Sequence, residues 1–150
     1  MVNRLLAADT EDEFVTLFLG RLDAGSASFS YASAGHVTGY LVDAEGRPRQ
    51  RLESTAIPLG VVPEAPFPAG PAVVLGPGEF ILLLTDGVTD ARSPDDLPFG
   101  SDRALAVARL YRRDPACLIV ANLYGAVRAF MQDEPQYDDI SIVVIKRRSP

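Results

Sequence analysis

Residues 14 to 23 (FVTLFLGRLD) are apolar at both alternating sets of positions and rich in aromatic and β-branched side chains. That pattern predicts a strand covered on both faces, and so a central one. Residues 28 to 33 (SFSYAS) alternate instead, with Phe29 and Tyr31 on one side and serines on the other. The Asp23-Ala24-Gly25-Ser26 turn between the two segments predicts a hairpin. A second hairpin is expected from Tyr40 through Asp43-Ala44-Glu45-Gly46 to Leu52. A third would pair 71–75 with 79–85 across Gly76-Pro77-Gly78, whose residues supply the dihedrals of a tight reversal.

The period then changes. Ser101 is placed to cap a helix over 102–112, and Asp114 followed by Pro115 to cap one over 115–131. In the second helix Ile119, Leu123, Ala126 and Phe130 form the stripe of a helix laid on a sheet, and Cys117 falls inside this apolar pattern as a core residue. Residues 139 to 146 (DISIVVIK) return to a two-sided apolar strand. Segment 53–70, with Pro58, Pro63, Pro66 and Pro68 and little periodicity, reads as a long surface loop. Strands, two amphipathic helices and a closing strand predict an α+β fold of mostly antiparallel sheets with both helices on one face.

Composition narrows the function classes. At 150 residues the chain fits one domain, and 47% hydrophobic with 23% charged residues excludes disorder. The net charge of −6 argues against a nucleic-acid partner, which needs a basic face to displace counterions. The longest uncharged stretches, Ala65 to Gly78 and Pro115 to Val127, are too short to span a bilayer, so no membrane partner is expected. With no apolar leader pattern at the N-terminus and a single cysteine, the expected compartment is the reducing cytoplasm.

Two acidic sites carry the candidate chemistry. Thr85-Asp86-Gly87 follows the apolar run Phe80 to Leu84, and Asp138-Asp139 precedes the apolar run from Ile140 to Ile145. If these strands are neighbours, the carboxylates converge at their mouths, and close carboxylates call for a hard divalent cation such as Mg²⁺ or Mn²⁺. The same residues also read simply as turn formers: Asp86 opening a turn with Gly87, and Asp138 ending a loop.

Five blocks occur in an order that resembles one family. They are Phe14-Val15-Thr16-Leu17-Phe18, Tyr31-Ala32-Ser33-Ala34-Gly35-His36, Pro58-Leu59-Gly60, Leu83 through Arg92 (LLTDGVTDAR), and Tyr137 through Val144 (YDDISIVV). Together they resemble the SpoIIE-like branch of the PPM (type 2C) metal-dependent serine/threonine phosphatases, from about Asn3 to Arg148. The resemblance implies an α-β-β-α sandwich, two Mn²⁺ or Mg²⁺ ions bridged by carboxylates, and hydrolysis of phosphoserine or phosphothreonine in bacterial stress or sporulation signalling. It also implies a phosphorylated regulatory protein, of the anti-sigma-factor-antagonist type, as substrate. Asp86 matches the family's metal-binding, catalytic Asp, Asp138 the carboxylate that opens the final block, and Asp139 its neighbour in the metal site. His36 falls in the family's Ala-Gly-His block and Arg92 follows the Thr-Asp-Gly block. Both are candidates to meet the substrate phosphate, and both also read as structural residues.

The likeness departs from the family at the front. A complete member carries upstream Gly-Gly-Asp and Asp-Val-Ser-Gly-His-Gly blocks, and nothing here matches them. Asn3-Arg4-Leu5-Leu6 reads as the last turns of the helix that follows those strands. Residues 1–150 are therefore expected to be the C-terminal portion of such a domain, its N-terminal strands missing. It would be weakly active or inactive alone and would self-associate as a homo-oligomer over uncovered apolar surface. The alternative is a catalytically degenerate, phosphatase-like regulatory or binding module.

Overall fold

A computed structural model describes Asn3, Leu6 and residues 14–149. Asn3 and Leu6 are helical, whereas Arg4 and Leu5 of the expected helix end lie outside the described residues. The chain forms two compact units: residues 1–38 with 52–74, and residues 39–51 with 75–150.

The first unit is built on β1 (Leu17–Asp23), β2 (Ser28–Ala34) and β5 (Val73–Val74), in the spatial order β1-β2-β5. The expected hairpin joins β1 to β2 in an antiparallel register running from Leu17↔Ala34 to Asp23↔Ser28. Its turn is held by Asp23, whose carboxylate accepts the Gly25 and Ser26 amides at 2.9 and 3.2 Å. Those two donors, Ser26 foremost, hold the Asp23 carboxyl below the usual carboxylate range. Phe18 stacks on Tyr31 with ring centroids 5.1 Å apart. Gly20 must lack a side chain, because a Cβ there would lie 2.4 Å from the Phe29 ring.

The expectation of a covered, central first strand does not hold in this chain. β1 is the edge of its sheet, and six of its seven residues are exposed, including Leu19 at 64% and Leu22 at 47%. Two-sided apolar periodicity identified the strand correctly. It could not report whether the cover such a strand calls for is supplied.

The second unit holds β3 (Gly39–Val42), β4 (Pro48–Leu52), β6 (Phe80–Leu84) and β7 (Ile142–Lys146), in the order β4-β3-β6-β7. The β3–β4 hairpin is as expected. The third expected hairpin is not present, since β5 pairs with β2 while β6 pairs antiparallel with β3 and β7. Gly78 does adopt φ +78° and Glu79 N–H closes on the Gly76 carbonyl at 3.1 Å, so the turn is real. It leads from one sheet to the other instead of folding a strand back on its neighbour.

Three helices complete this unit: α1 (Asp86–Thr89), α2 (Gly100–Leu110) and α3 (Ala116–Met131). Neither long helix uses its expected cap. α2 starts after Phe99 and α3 after Pro115, both without a side-chain cap bond. The buried stripe of α3 is Ile119, Leu123, Val127 and Met131, whereas Ala126 and Phe130 pack at its margin. Cys117 is exposed, not core, because it sits two residues before that stripe begins. The stripe packs with Ala104 and Ala108 of α2 and with Tyr40, Val42, Phe80, Leu82 and Leu84, which alternate along β3 and β6. Both helices thus join one core with the sheet, as the sequence pattern required. Among the described residues no helix is long and apolar enough to cross a membrane.

Candidate functional site

The run Phe80-Ile81-Leu82-Leu83-Leu84 forms β6 because the strand is covered on both sides, with four of its five residues buried. At its end Thr85 stays extended (φ −87°, ψ 163°), and the chain then turns into α1 at Asp86. Thr85 clasps the segment that leads into β7. Its hydroxyl donates to the Asp139 carbonyl at 2.8 Å and accepts the Ser141 amide at 2.9 Å, while its own amide donates to the Ser141 carbonyl at 3.1 Å. The ladder closed by Leu84↔Ile142 is thereby carried past the ends of both strands.

Gly87 tightens the same junction. A Cβ built on it would lie 2.3 Å from the Asp139 carbonyl oxygen and 3.1 Å from that of Asp138. Only a residue without a side chain lets the α1 backbone come this close to the Asp138–Asp139 peptide. The two acidic sites, 52 residues apart in sequence, therefore lie side by side at one end of β6 and β7, as their placement at strand ends predicted.

Asp86, Asp138 and Asp139 are all exposed there. One Asp86 carboxylate oxygen accepts the Gly87 amide at 3.0 Å, and one of Asp138 accepts the Asp139 amide at 2.6 Å. These bonds orient the two carboxylates on their backbone and leave each a second oxygen for another donor or a cation. Among the described residues no Lys, Arg or His pairs with any of the three. Oxygen-only donors of this kind suit a hard divalent ion. The set is open and partial, however: no group of three or more Asp, Glu, His or Cys side chains is gathered closely enough to hold an ion among the described residues.

Asp90 is the acidic neighbour to which the sequence reading gave no role. Its amide donates to the Asp86 carbonyl at 2.7 Å, and with Gly87, Tyr137 and Asp138 it lines a cavity of about 30 Å³. The signal was present as Asp86 and Asp90 four apart, one helical turn, in the Thr-Asp-Gly-Val-Thr-Asp stretch.

The other two candidates are held elsewhere. Arg92 donates to the Asp96 carbonyl at 3.0 Å and lies 3.6 Å from its carboxylate, so its guanidinium is engaged within its own loop. His36 belongs to the first unit. Its ring meets Phe18 edge-on at 6.0 Å, and its Nδ1 lies 3.1 Å from the Val37 carbonyl oxygen.

The close approach at Gly87 gives a direct test. Gly87→Ala should lower stability by about 1–3 kcal/mol, the usual cost of an overpacked contact, and should shift the Asp139 and Ile140 amide resonances. Gly125→Ala, where nothing lies within 4 Å of the added Cβ, should instead be neutral or stabilising by up to about 1 kcal/mol. Urea denaturation of both variants checks the contrast, and equal effects would remove the claim of a tight junction.

Residues 1–148 match the family described as Stage II sporulation protein E (SpoIIE). Protein IcfG of a Synechocystis species is 32% identical over 137 residues, which cover 89% of this chain and 21% of IcfG. Phosphoserine phosphatase RsbU of Bacillus subtilis is 25% identical over 148 residues, covering 98% of this chain and 43% of RsbU. The chain thus spans less than half the length of either relative. Among solved structures, the SiaA PP2C domain of Pseudomonas aeruginosa superposes with a TM-score of 0.80 at 23% identity, over 97% of this chain and 56% of that one. The RsbU and RsbW domains of Rv1364c from Mycobacterium tuberculosis give 0.70 at 28% identity, over 99% of this chain and 40% of that one. The manganese-presoaked phosphatase domain of SpoIIE from Bacillus subtilis gives 0.69 at 18% identity, over 98% and 63%. The first and third of these likenesses speak to fold alone, and that fold is the mixed helix and antiparallel-sheet class expected from the sequence.

Proposed function

We propose that this chain, which belongs to the SpoIIE family of PPM phosphatase domains, contributes Asp86 and Asp138 to a divalent-metal site that hydrolyses phosphoserine or phosphothreonine on a bacterial signalling protein. The observation that carries the proposal is the contact of Gly87 with the Asp138–Asp139 peptide, which puts both acidic sites at one end of β6 and β7. Their oxygen donors suit Mn²⁺ or Mg²⁺, with Asp139 as a further ligand. When bound, such ions supply an activated water and neutralise charge at the phosphoryl group.

The chain's own residues do the positioning. Thr85 fixes the spacing between the two acidic segments, and the Gly87 and Asp139 amides each hold one carboxylate oxygen and leave the other without a hydrogen bond among the described residues. Arg92 is proposed to meet the substrate phosphate after exchanging Asp96 for a phosphate oxygen. The relative named a phosphoserine phosphatase, aligned over 148 residues, supports this reaction class. A phosphorylated regulator of the anti-sigma-factor-antagonist type is the proposed substrate. Residues 1–150 are proposed to be the C-terminal portion of such a domain, and the partial coverage of the relatives is in keeping with a portion.

A second reading, a regulatory module that binds a partner without hydrolysis, is favoured by one observation. Among the described residues no three Asp, Glu, His or Cys side chains are gathered closely enough to hold a cation.

Two outcomes separate these readings. In Mn²⁺, this chain should hydrolyse an aryl phosphate weakly or not at all, while a longer polypeptide that includes upstream sequence of its gene should turn it over. Asp86→Asn in the longer protein should cost at least about 10- to 100-fold, the range produced by loss of an outer-sphere partner alone. A longer protein that stays inactive while still binding a phosphorylated regulator would establish the second reading.

Self-association is proposed on separate grounds, the exposed apolar side chains of β1 and its place at a sheet edge among the described residues. Sedimentation should give a species larger than the 16.1 kDa monomer, and Leu19→Lys should shift it toward monomer. A monodisperse monomer at micromolar concentration would contradict the proposal.

A further inference from the structure

At the opposite end of β6 and β7 from the carboxylates, the second unit has a cavity of about 870 Å³. Its position follows from the register, in which Phe80 pairs with Lys146 and Leu84 with Ile142. Four residue steps of strand separate the two ends, about 13 Å at the usual rise. The cavity is lined by Arg112, Arg113, Lys146 and Arg148, with Asp114 as its one carboxylate. In a chain of net charge −6 this is a local excess of three positive charges.

The four cations have different roles. Lys146 is structural: its ammonium donates to the carbonyls of Arg112 and Asp114 and ties the α2–α3 connection to the end of β7. Burial pushes its pKa below the usual lysine range, which Asp114 partly offsets. Arg112 donates one guanidinium bond to the Arg109 carbonyl at 3.0 Å. Arg113 and Arg148 are exposed and make no hydrogen bond or ion pair among the described residues. The fold therefore brings two uncommitted guanidinium groups from distant parts of the chain to one concave surface. The lining also includes the start of α3, Pro115 to Cys117, which has neither a side-chain cap nor an acidic residue in its first turn.

We propose that this cavity binds a small phosphate-bearing anion, separately from the Asp86–Asp138 site. Guanidinium groups suit phosphate because their paired N–H donors match two phosphate oxygens. A volume of 870 Å³ lies within the range of small-molecule sites and exceeds what one phosphate fills. A diphosphate or a phosphate ester with a modest organic body therefore fits better than inorganic phosphate alone. The proposal does not depend on the phosphatase reading, because none of its residues belongs to the acidic end.

Inorganic pyrophosphate is the probe, added to the whole chain in a chelating buffer that keeps divalent ions from the carboxylates. Binding should saturate below about 1 mM, shift the Ala116 and Cys117 amide resonances, and slow alkylation of Cys117, which is exposed and lines the cavity. The exposed double substitution Arg113→Gln with Arg148→Gln should weaken binding at least about tenfold without changing the circular dichroism spectrum. Asp86→Asn should leave binding unchanged. The proposal is overturned if pyrophosphate fails to saturate, if sulfate at matched ionic strength produces the same shifts, or if the double variant binds as well as the parent. It is equally overturned if Asp86→Asn, and not the arginine pair, abolishes binding.

Discussion

The bond pair at the Thr85 hydroxyl, donated to Asp139 and accepted from Ser141, is the constraint on which the acidic end of the molecule depends. Strand pairing alone fixes the ladder only as far as Leu84 and Ile142. Beyond it both chains leave the sheet, one into a four-residue helix and the other into an irregular loop. Without a cross-link they would diverge, and two like-charged segments have an electrostatic reason to do so. The Thr85 amide bond to the Ser141 carbonyl, together with the hydroxyl acting as both donor and acceptor, prevents this. Gly87 then removes the side chain that would otherwise hold the backbones apart. The backbones that carry Asp86 and Asp138 are thus neighbours, and each carboxylate keeps one oxygen without a hydrogen bond among the described residues.

The same strands separate opposite charges. β6 and β7 end in Asp86, Asp138 and Asp139 at one side and in Lys146 with the arginines of the α2–α3 connection at the other. Between them lies a sheet whose β3 and β6 are almost wholly buried. A rigid apolar middle with oppositely charged ends suits two independent ligand sites, a cation at one end and an anion at the other. The edge strand β1 contrasts with this, since among the described residues it is paired on one side only and most of its apolar side chains are exposed.

Much of this was legible in the sequence where local pattern and tertiary environment agree. Phe80 to Leu84 reads as a buried strand and is one, and the backbone segments at its end and before β7 lie side by side because β6 and β7 are neighbours. Residues 14 to 23 carry the same two-sided pattern, yet β1 is an exposed edge, because periodicity records what a strand calls for and not what covers it. Gly76-Pro77-Gly78 forms its turn, but turn chemistry is local and does not decide which sheet receives the next strand. In α3 the stripe drifted by one residue, from Ala126 and Phe130 to Val127 and Met131, since both sets satisfy helical spacing. Choosing between them needed the sheet it packs on. The roles of Thr85 and Gly87 depend on contacts with residues more than fifty positions away, which no local pattern encodes.

Paramagnetic broadening of backbone amide resonances by Mn²⁺ tests most directly whether the Thr85–Gly87 junction makes one cation site from two acidic segments. At low Mn²⁺ the amides of Gly87, Asp139 and Ile140 should broaden first and together, while Ala116 and Cys117 at the far end stay sharp, and Asp86→Asn should suppress the effect. Broadening confined to one acidic segment, or spread evenly over the surface carboxylates and unchanged by Asp86→Asn, would contradict the account.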